Sequence, residues 1–91
     1  MDKFTLKLYI IGHTAKSRTA VTNLRKICKE DLRNQYKIKI IDLLKNPQIA
    51  EDDGIVACPT LIKELPPPMN RIIGDLSDKE KILLGLDLKL K

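Results

Sequence analysis

Phe4-Thr5-Leu6-Lys7-Leu8-Tyr9-Ile10 alternates apolar with more polar residues at period two, the pattern of a strand buried on one face. Gly12-His13-Thr14 breaks the alternation. Beyond it, Ala20, Val21, Leu24, Ile27, Cys28 and Leu32 recur at helical spacing, which predicts a helix from about Ala15 to Leu32 with one apolar face turned inward. Its other side carries Arg18, Arg25, Lys29 and Arg33, the last three at four-residue intervals, forming either a solvated basic face or a docking stripe. Tyr36 to Leu44 is rich in Ile and Leu around Lys37, Lys39 and Asp42 and predicts a second strand. The intervening helix makes a right-handed βαβ crossover the expected connection, with the two strands parallel.

Further along, Asn46-Pro47 and Gly54 frame a short helix, with a proline at its first position and a glycine at its end. Ile55 to Leu65, interrupted at Pro59, then Pro66-Pro67-Pro68, then Arg71-Ile72-Ile73-Gly74 predict a strand, a rigid corner and another strand. Ser77 and Glu80 form a capping box ahead of Ile82, Leu83 and Leu84, so the terminal helix is expected to begin at Ser77. The predicted order is βαβαββα, an α/β single domain of thioredoxin-like order. In the tail, however, Leu84, Leu86, Leu88 and Leu90 alternate with Gly85, Asp87, Lys89 and Lys91, a strand pattern directly after a helix signal. Gly85 weakens a helix interior by about 1 kcal/mol relative to Ala. Such a conflict marks either two near-degenerate packings or a helix with a frayed, exposed end.

With 91 residues the chain has room for one domain, residues 1–91, and its 43% hydrophobic and 32% charged content is that of a globular protein. No run approaches the ~20 apolar residues a membrane span needs, and Met1-Asp2-Lys3 leads into a charged strand-like segment, so a cytoplasmic protein without membrane association is expected. A net charge of +5 suits nucleic acid, acidic lipid or an acidic protein face. Phe4, Tyr9 and Tyr36 are too few aromatics for a base-stacking platform, which argues against nucleic acid.

In a thioredoxin-like fold the reactive thiols occupy the first strand-to-helix turn, where the helix N-terminus lowers a thiol pKa. Here that turn reads Thr14-Ala15-Lys16-Ser17, and its hydroxyls are read as helix caps. Ala57-Cys58-Pro59-Thr60-Leu61 looks like the cis-proline loop of the thioredoxin superfamily, with Cys58 a packed thiol. Cys28 and Cys58 lack metal-ligand spacing and are expected to be free. His13 has no orienting partner in the sequence. No catalytic residue, metal or cofactor is expected.

Leu6-Lys7-Leu8-Tyr9, Ile41-Asp42-Leu43-Leu44-Lys45-Asn46-Pro47-Gln48, Pro59-Thr60-Leu61, Leu65-Pro66-Pro67-Pro68, Arg71-Ile72-Ile73-Gly74-Asp75-Leu76-Ser77 and Leu84-Gly85-Leu86-Asp87-Leu88 together resemble the KaiB family of circadian-clock proteins over nearly the whole chain. The resemblance implies a metamorphic protein. Its ground state would be an oligomeric KaiB fold, a homodimer or homotetramer. A rare thioredoxin-like monomer would bind a KaiC-like ATPase and then a KaiA-like protein or a sensor kinase. Residues 1–50 would form the shared βαβ half and residues 51–91 the fold-switching half. In the ground state the alternating leucines would form a terminal strand; in the switched state the Ser77 helix would extend through them.

On that basis Gly85, Asp87, Pro59, Pro66, Pro67 and Pro68 are the expected fold-switch residues. Gly85→Ala, by helix propensity, and Asp87→Arg, by the helix dipole, are expected to favour the thioredoxin-like form. Lys7, Arg18, Arg25 and Lys45 are the expected partner-binding residues, steering docking onto an acidic surface. Gly12-His13-Thr14-Ala15 departs from the family's common Gly-Asn-Thr-Pro, Gly54 stands where a basic residue is frequent, and a chain ending at Lys91 lacks the long acidic tail of cyanobacterial members. These departures imply a homologue from outside the cyanobacteria. A stress-response or signalling adaptor of KaiB fold is the alternative function, and a thioredoxin-like redox protein using Cys58 the third.

Overall fold

A computed structural model describes residues 4–33 and 35–86. The elements run β1 (Phe4–Ile10), α1 (Ala15–Asp31), β2 (Tyr36–Asp42), α2 (Pro47–Asp52), β3 (Thr60–Leu65), β4 (Asn70–Ile73) and α3 (Lys79–Gly85). The four-stranded sheet has the order β2-β1-β3-β4. β1 pairs in parallel with β2, Leu8 opposite Ile40, and antiparallel with β3, Leu8 opposite Leu61; β3 and β4 are antiparallel. This is the thioredoxin-like βαβαββα arrangement expected from the sequence.

Strand alternation builds two cores. Leu6, Leu8 and Ile10 of β1, with Leu61 and Ile72, pack under α1 through Ala20, Leu24, Ile27 and Cys28 and under α3 through Ile82 and Leu83. On the other face Tyr9, Ile41 and Ile62 join Leu43 and Ile55, with Ile49 and Ala50 of α2 packed against them. Ile55 is thus buried although it precedes β3.

The boundaries differ from expectation where a side chain competes with the backbone ladder. β2 stops at Asp42 and not at Leu44, because the Asp42 carboxylate takes the Leu44 N–H and turns the chain. α3 does not begin at Ser77. The Asp75 carboxylate accepts the Ser77 N–H, and Asp78 is the N-cap, accepting from Lys81 N at 3.1 Å. Asn46 occupies the N-cap position of α2 but makes no side-chain capping bond. Arg33 lies beyond α1 with φ 47°, so the basic stripe ends at Lys29.

In the tail the helix pattern prevails through Leu86: Ile82, Leu83 and Leu86 turn inward while Leu84 stays 67% exposed. Asp87, Leu88 and Leu90 lie outside the described residues. Gly85 sits in the last turn of α3, where a Cβ would come within 2.5 Å of Ile72 Cδ1 and 2.9 Å of Ile72 Cγ1. The expected helix-propensity gain of Gly85→Ala is therefore opposed by a packing clash that the local sequence does not announce.

Candidate docking surface

β1 and β2 end side by side, Ile10 opposite Asp42, and β3 starts at the same end, Thr60 opposite Tyr9. The β1–α1 turn, the β2–α2 turn and the loop before β3 therefore gather at one end of the sheet. Asp42 joins two of them: its Oδ1 accepts the Gly12 N–H and the Leu44 N–H, each at 2.9 Å. Those two backbone bonds hold the Asp42 carboxyl below its ordinary range, and the charges of Lys45 and His13 act in the same direction. Gly12 has φ +60°, and a Cβ there would meet Leu44 Cδ1 at 2.7 Å, so the two turns touch closely.

At the start of α1, Thr14 Oγ1 accepts the Ser17 N–H at 3.2 Å and donates to Ser17 Oγ at 3.0 Å. The position where thioredoxin-like oxidoreductases keep two thiols is thus a hydroxyl cap, as expected. The Cys58–Pro59 bond is cis, as are Leu65–Pro66 and Pro67–Pro68. Both cysteines are free: Cys58 is partly buried against the α2-side core, and Cys28 is fully buried on the opposite face of the sheet. Burial pushes the Cys28 thiol up to about 12, with the charge of Asp31 adding to it, and burial raises Cys58 as well. Neither thiol is activated towards its thiolate form. Among the described residues no cluster of His, Cys, Asp or Glu is arranged to hold a metal ion, and no helix is long and apolar enough to cross a membrane.

Among the shallow hollows at this end, two have mainly apolar walls. One, of about 240 Å³, lies beside the cis-proline loop and is rimmed by the exposed Ile11, Leu44 and Val56, with Cys58 in its lining. The other, of about 360 Å³, lies between α1 and the edge strand β2; Ile10, Val21 and Ile40 line it, together with His13 and Arg18.

The four expected partner-binding residues do not form one patch. Arg18 and Lys45 stand exposed at this end, and Arg25 follows Arg18 two turns along α1 on the same side of the helix. Lys7 projects from the opposite sheet face, half-buried, and is paired with Glu64 at 3.2 Å. Of the expected fold-switch residues, Pro59 is buried in the loop before β3, Pro66, Pro67 and Pro68 connect β3 to β4, and Gly85 lies in α3; Asp87 lies outside the described residues.

Several polar ties have only faint signatures in the sequence. Tyr9 is buried, and its hydroxyl donates to Asp53 Oδ2 at 2.7 Å, while Arg71 donates to the carbonyls of Gly54 at 2.9 Å and Asp53 at 3.4 Å, fixing the end of α2 against the sheet. Burial first, and then the Asp53 carboxylate, raise the Tyr9 hydroxyl well above its ordinary value. Asp42 alone carried a local signal, an aspartate at a strand end before a Leu-Leu-Lys turn.

The model of the KaiB domain matches residues 7–88. The chain is 53% identical over 88 residues to the circadian clock protein KaiB3 of Synechocystis sp. PCC 6803, covering 97% of this chain and 86% of that protein. Among solved structures, the N-terminal domain of Synechococcus elongatus SasA aligns over 100% of this chain and 90% of its own, with a TM-score of 0.76 at 20% identity. Mitochondrial thioredoxin 3 from Saccharomyces cerevisiae aligns over 96% and 79%, with a TM-score of 0.73 at 15% identity. At such identities these two likenesses speak for the fold alone.

Proposed function

The chain belongs to the KaiB family, and from that premise we propose that it is a regulator of circadian-clock type, without catalytic activity of its own, that docks on a KaiC-like ATPase and then on a KaiA-like protein or a sensor kinase. The observation that carries the proposal is the match of the KaiB domain along residues 7–88, on a fold whose first turn holds Thr14 and Ser17 in place of a thiol pair. The raised Cys28 and Cys58 thiols support the absence of redox chemistry. We place the docking charge on Arg18, Arg25 and Lys45, with Lys7 contributing from the other face. Residues 51–91 are the half that refolds between an oligomeric resting form and the thioredoxin-like monomer, and the docked form is the monomer.

Size-exclusion chromatography with light scattering, with and without a KaiC homologue and ATP, tests the whole reading. A resting dimer or tetramer that leaves as a monomer bound to the ATPase is the expected result; no binding under any condition overturns it. Charge reversal of Arg18 and Lys45 is expected to slow association several-fold at low salt, with the difference fading as salt rises. Insulin-type disulfide reduction that is robust in the wild type and lost in Cys58→Ser would replace the regulator with a redox protein.

A further inference from the structure

Lys63 is 1% exposed, among the most completely enclosed side chains of the molecule, although it is a lysine in a strand. It sits on the α1/α3 side of the sheet, opposite Leu6 of β1 and opposite Asn70 of β4. Among the described residues its ammonium has one hydrogen-bond acceptor, the Leu86 carbonyl at 3.5 Å, and no ion pair. Its cross-strand neighbour Asn70 donates from Nδ2 to the Gly85 carbonyl at 2.6 Å. One strand pair thus grips two successive carbonyls at the C-terminus of α3, where a helix leaves its last C=O groups without intrahelical partners.

The two grips are energetically unlike. Asn70 makes a short neutral bond whose desolvation is small. Lys63 brings its ammonium out of water for one long bond, and a buried charge that no carboxylate among the described residues matches is a net liability that an apolar side chain of similar volume removes. We propose that Lys63 and Asn70 form a two-point clasp on α3 in which Asn70 holds and Lys63 strains, so that the last turn of α3 is the first part of this fold to leave the sheet. α3 is only seven residues long and cannot persist alone once released. The proposal rests on the contacts of the thioredoxin-like form and stands apart from what the released segment then becomes.

Lys63→Met and Asn70→Ala, examined by amide hydrogen exchange with NMR detection, test it. In the thioredoxin-like form, Lys63→Met is expected to raise the protection of the Ile82 to Leu86 amides roughly tenfold or more, and Asn70→Ala to lower it about fivefold. Amides of β1 and α1 are expected to change less in both. Where a second form coexists, it gives its own set of peaks, and Lys63→Met is expected to raise the share of the thioredoxin-like set; the presence of the second set judges the fold switch, separately from the clasp. If Lys63→Met lowers protection, as it would were the ammonium matched by a carboxylate, or leaves both protection and share unchanged, the clasp is wrong. Equal and same-signed effects of the two variants overturn it too.

Discussion

α1 buries Ser17, Ala20, Leu24, Ile27 and Cys28 along 17 residues, whereas α3 buries Ile82 and Leu83 along seven. α1 is long enough to gain from its own helix propensity, and its N-cap is set by neighbours in sequence, Thr14 on Ser17. α3 has one local cap, Asp78, and otherwise depends on distant residues. Lys79 reaches Glu30 and Asp31 at the end of α1, each at 3.2 Å, Asn23 of α1 donates to the Asp75 carbonyl, and Asn70 donates to the Gly85 carbonyl. Leu76, between β4 and α3, sits at φ +64°, a strained angle for a branched residue, with its side chain buried in the larger core. The first part of the chain specifies itself locally; the last part takes this shape only while the rest is in place to receive it. A segment of the second kind is the one whose structure small changes can redirect.

Leu24→Ala should bring the largest loss. Leu24 is 0% exposed between α1 and β1, and a Leu→Ala cavity costs about 3 kcal/mol. Because it empties the core both parts share, urea unfolding followed by probes in either part should shift together; a loss confined to one part would break the comparison. Gly85→Ala should cost less, about 1–2 kcal/mol net, since overpacking against Ile72 exceeds the helix propensity gained. Ile72→Val removes the Cδ1 atom and should restore part of that loss in a double-mutant cycle, whereas a stabilising Gly85→Ala would show that propensity wins after all.

Asp78→Ala should cost about 1 kcal/mol by removing the cap on Lys81 N, with faster amide exchange in α3 and little change in α1. Uniform acceleration would mean that α3 is not separately held. Smallest is the acid effect. Asp42 is depressed by its Gly12 and Leu44 bonds, and Asp75 by its Ser77 bonds. A carboxyl with a lowered folded pKa stabilises fully above its unfolded value of about 3.9 and loses that contribution as pH falls through the folded value. Carboxyl NMR titration should place both midpoints below about 3.9; an ordinary midpoint for Asp75 alone would sharpen the contrast between the two parts.

What was legible in the sequence follows the same division. β1 and α1 were readable because period-two and helical spacing both reported burial directly. Ser77 and Asp78 are both good cap residues, and Glu80 stands at capping-box spacing from Ser77 alone; the Asp75 bond to the Ser77 N–H nonetheless leaves the cap to Asp78. Lys63 carries no sign of its burial in the local sequence, since nothing nearby tells that α3 will cover it. Gly85 looked like a helix weakness, since Ile72 stands thirteen positions away. The expected docking residues share only their charge, and charge alone does not tell which face a strand residue such as Lys7 occupies or that Glu64 will pair with it.

Asp42 has a consequence for recognition kinetics. A single carboxylate holds the peptide groups of both turns that flank Arg18 and Lys45, so their backbone is ordered before a partner arrives. Association commonly spends about 0.5–1.5 kcal/mol on each side chain it immobilises, along with the freezing of loops. Here the loop share has already been settled during folding, within residues drawn from the locally specified part of the chain. An encounter with these two turns would meet a template that is already formed.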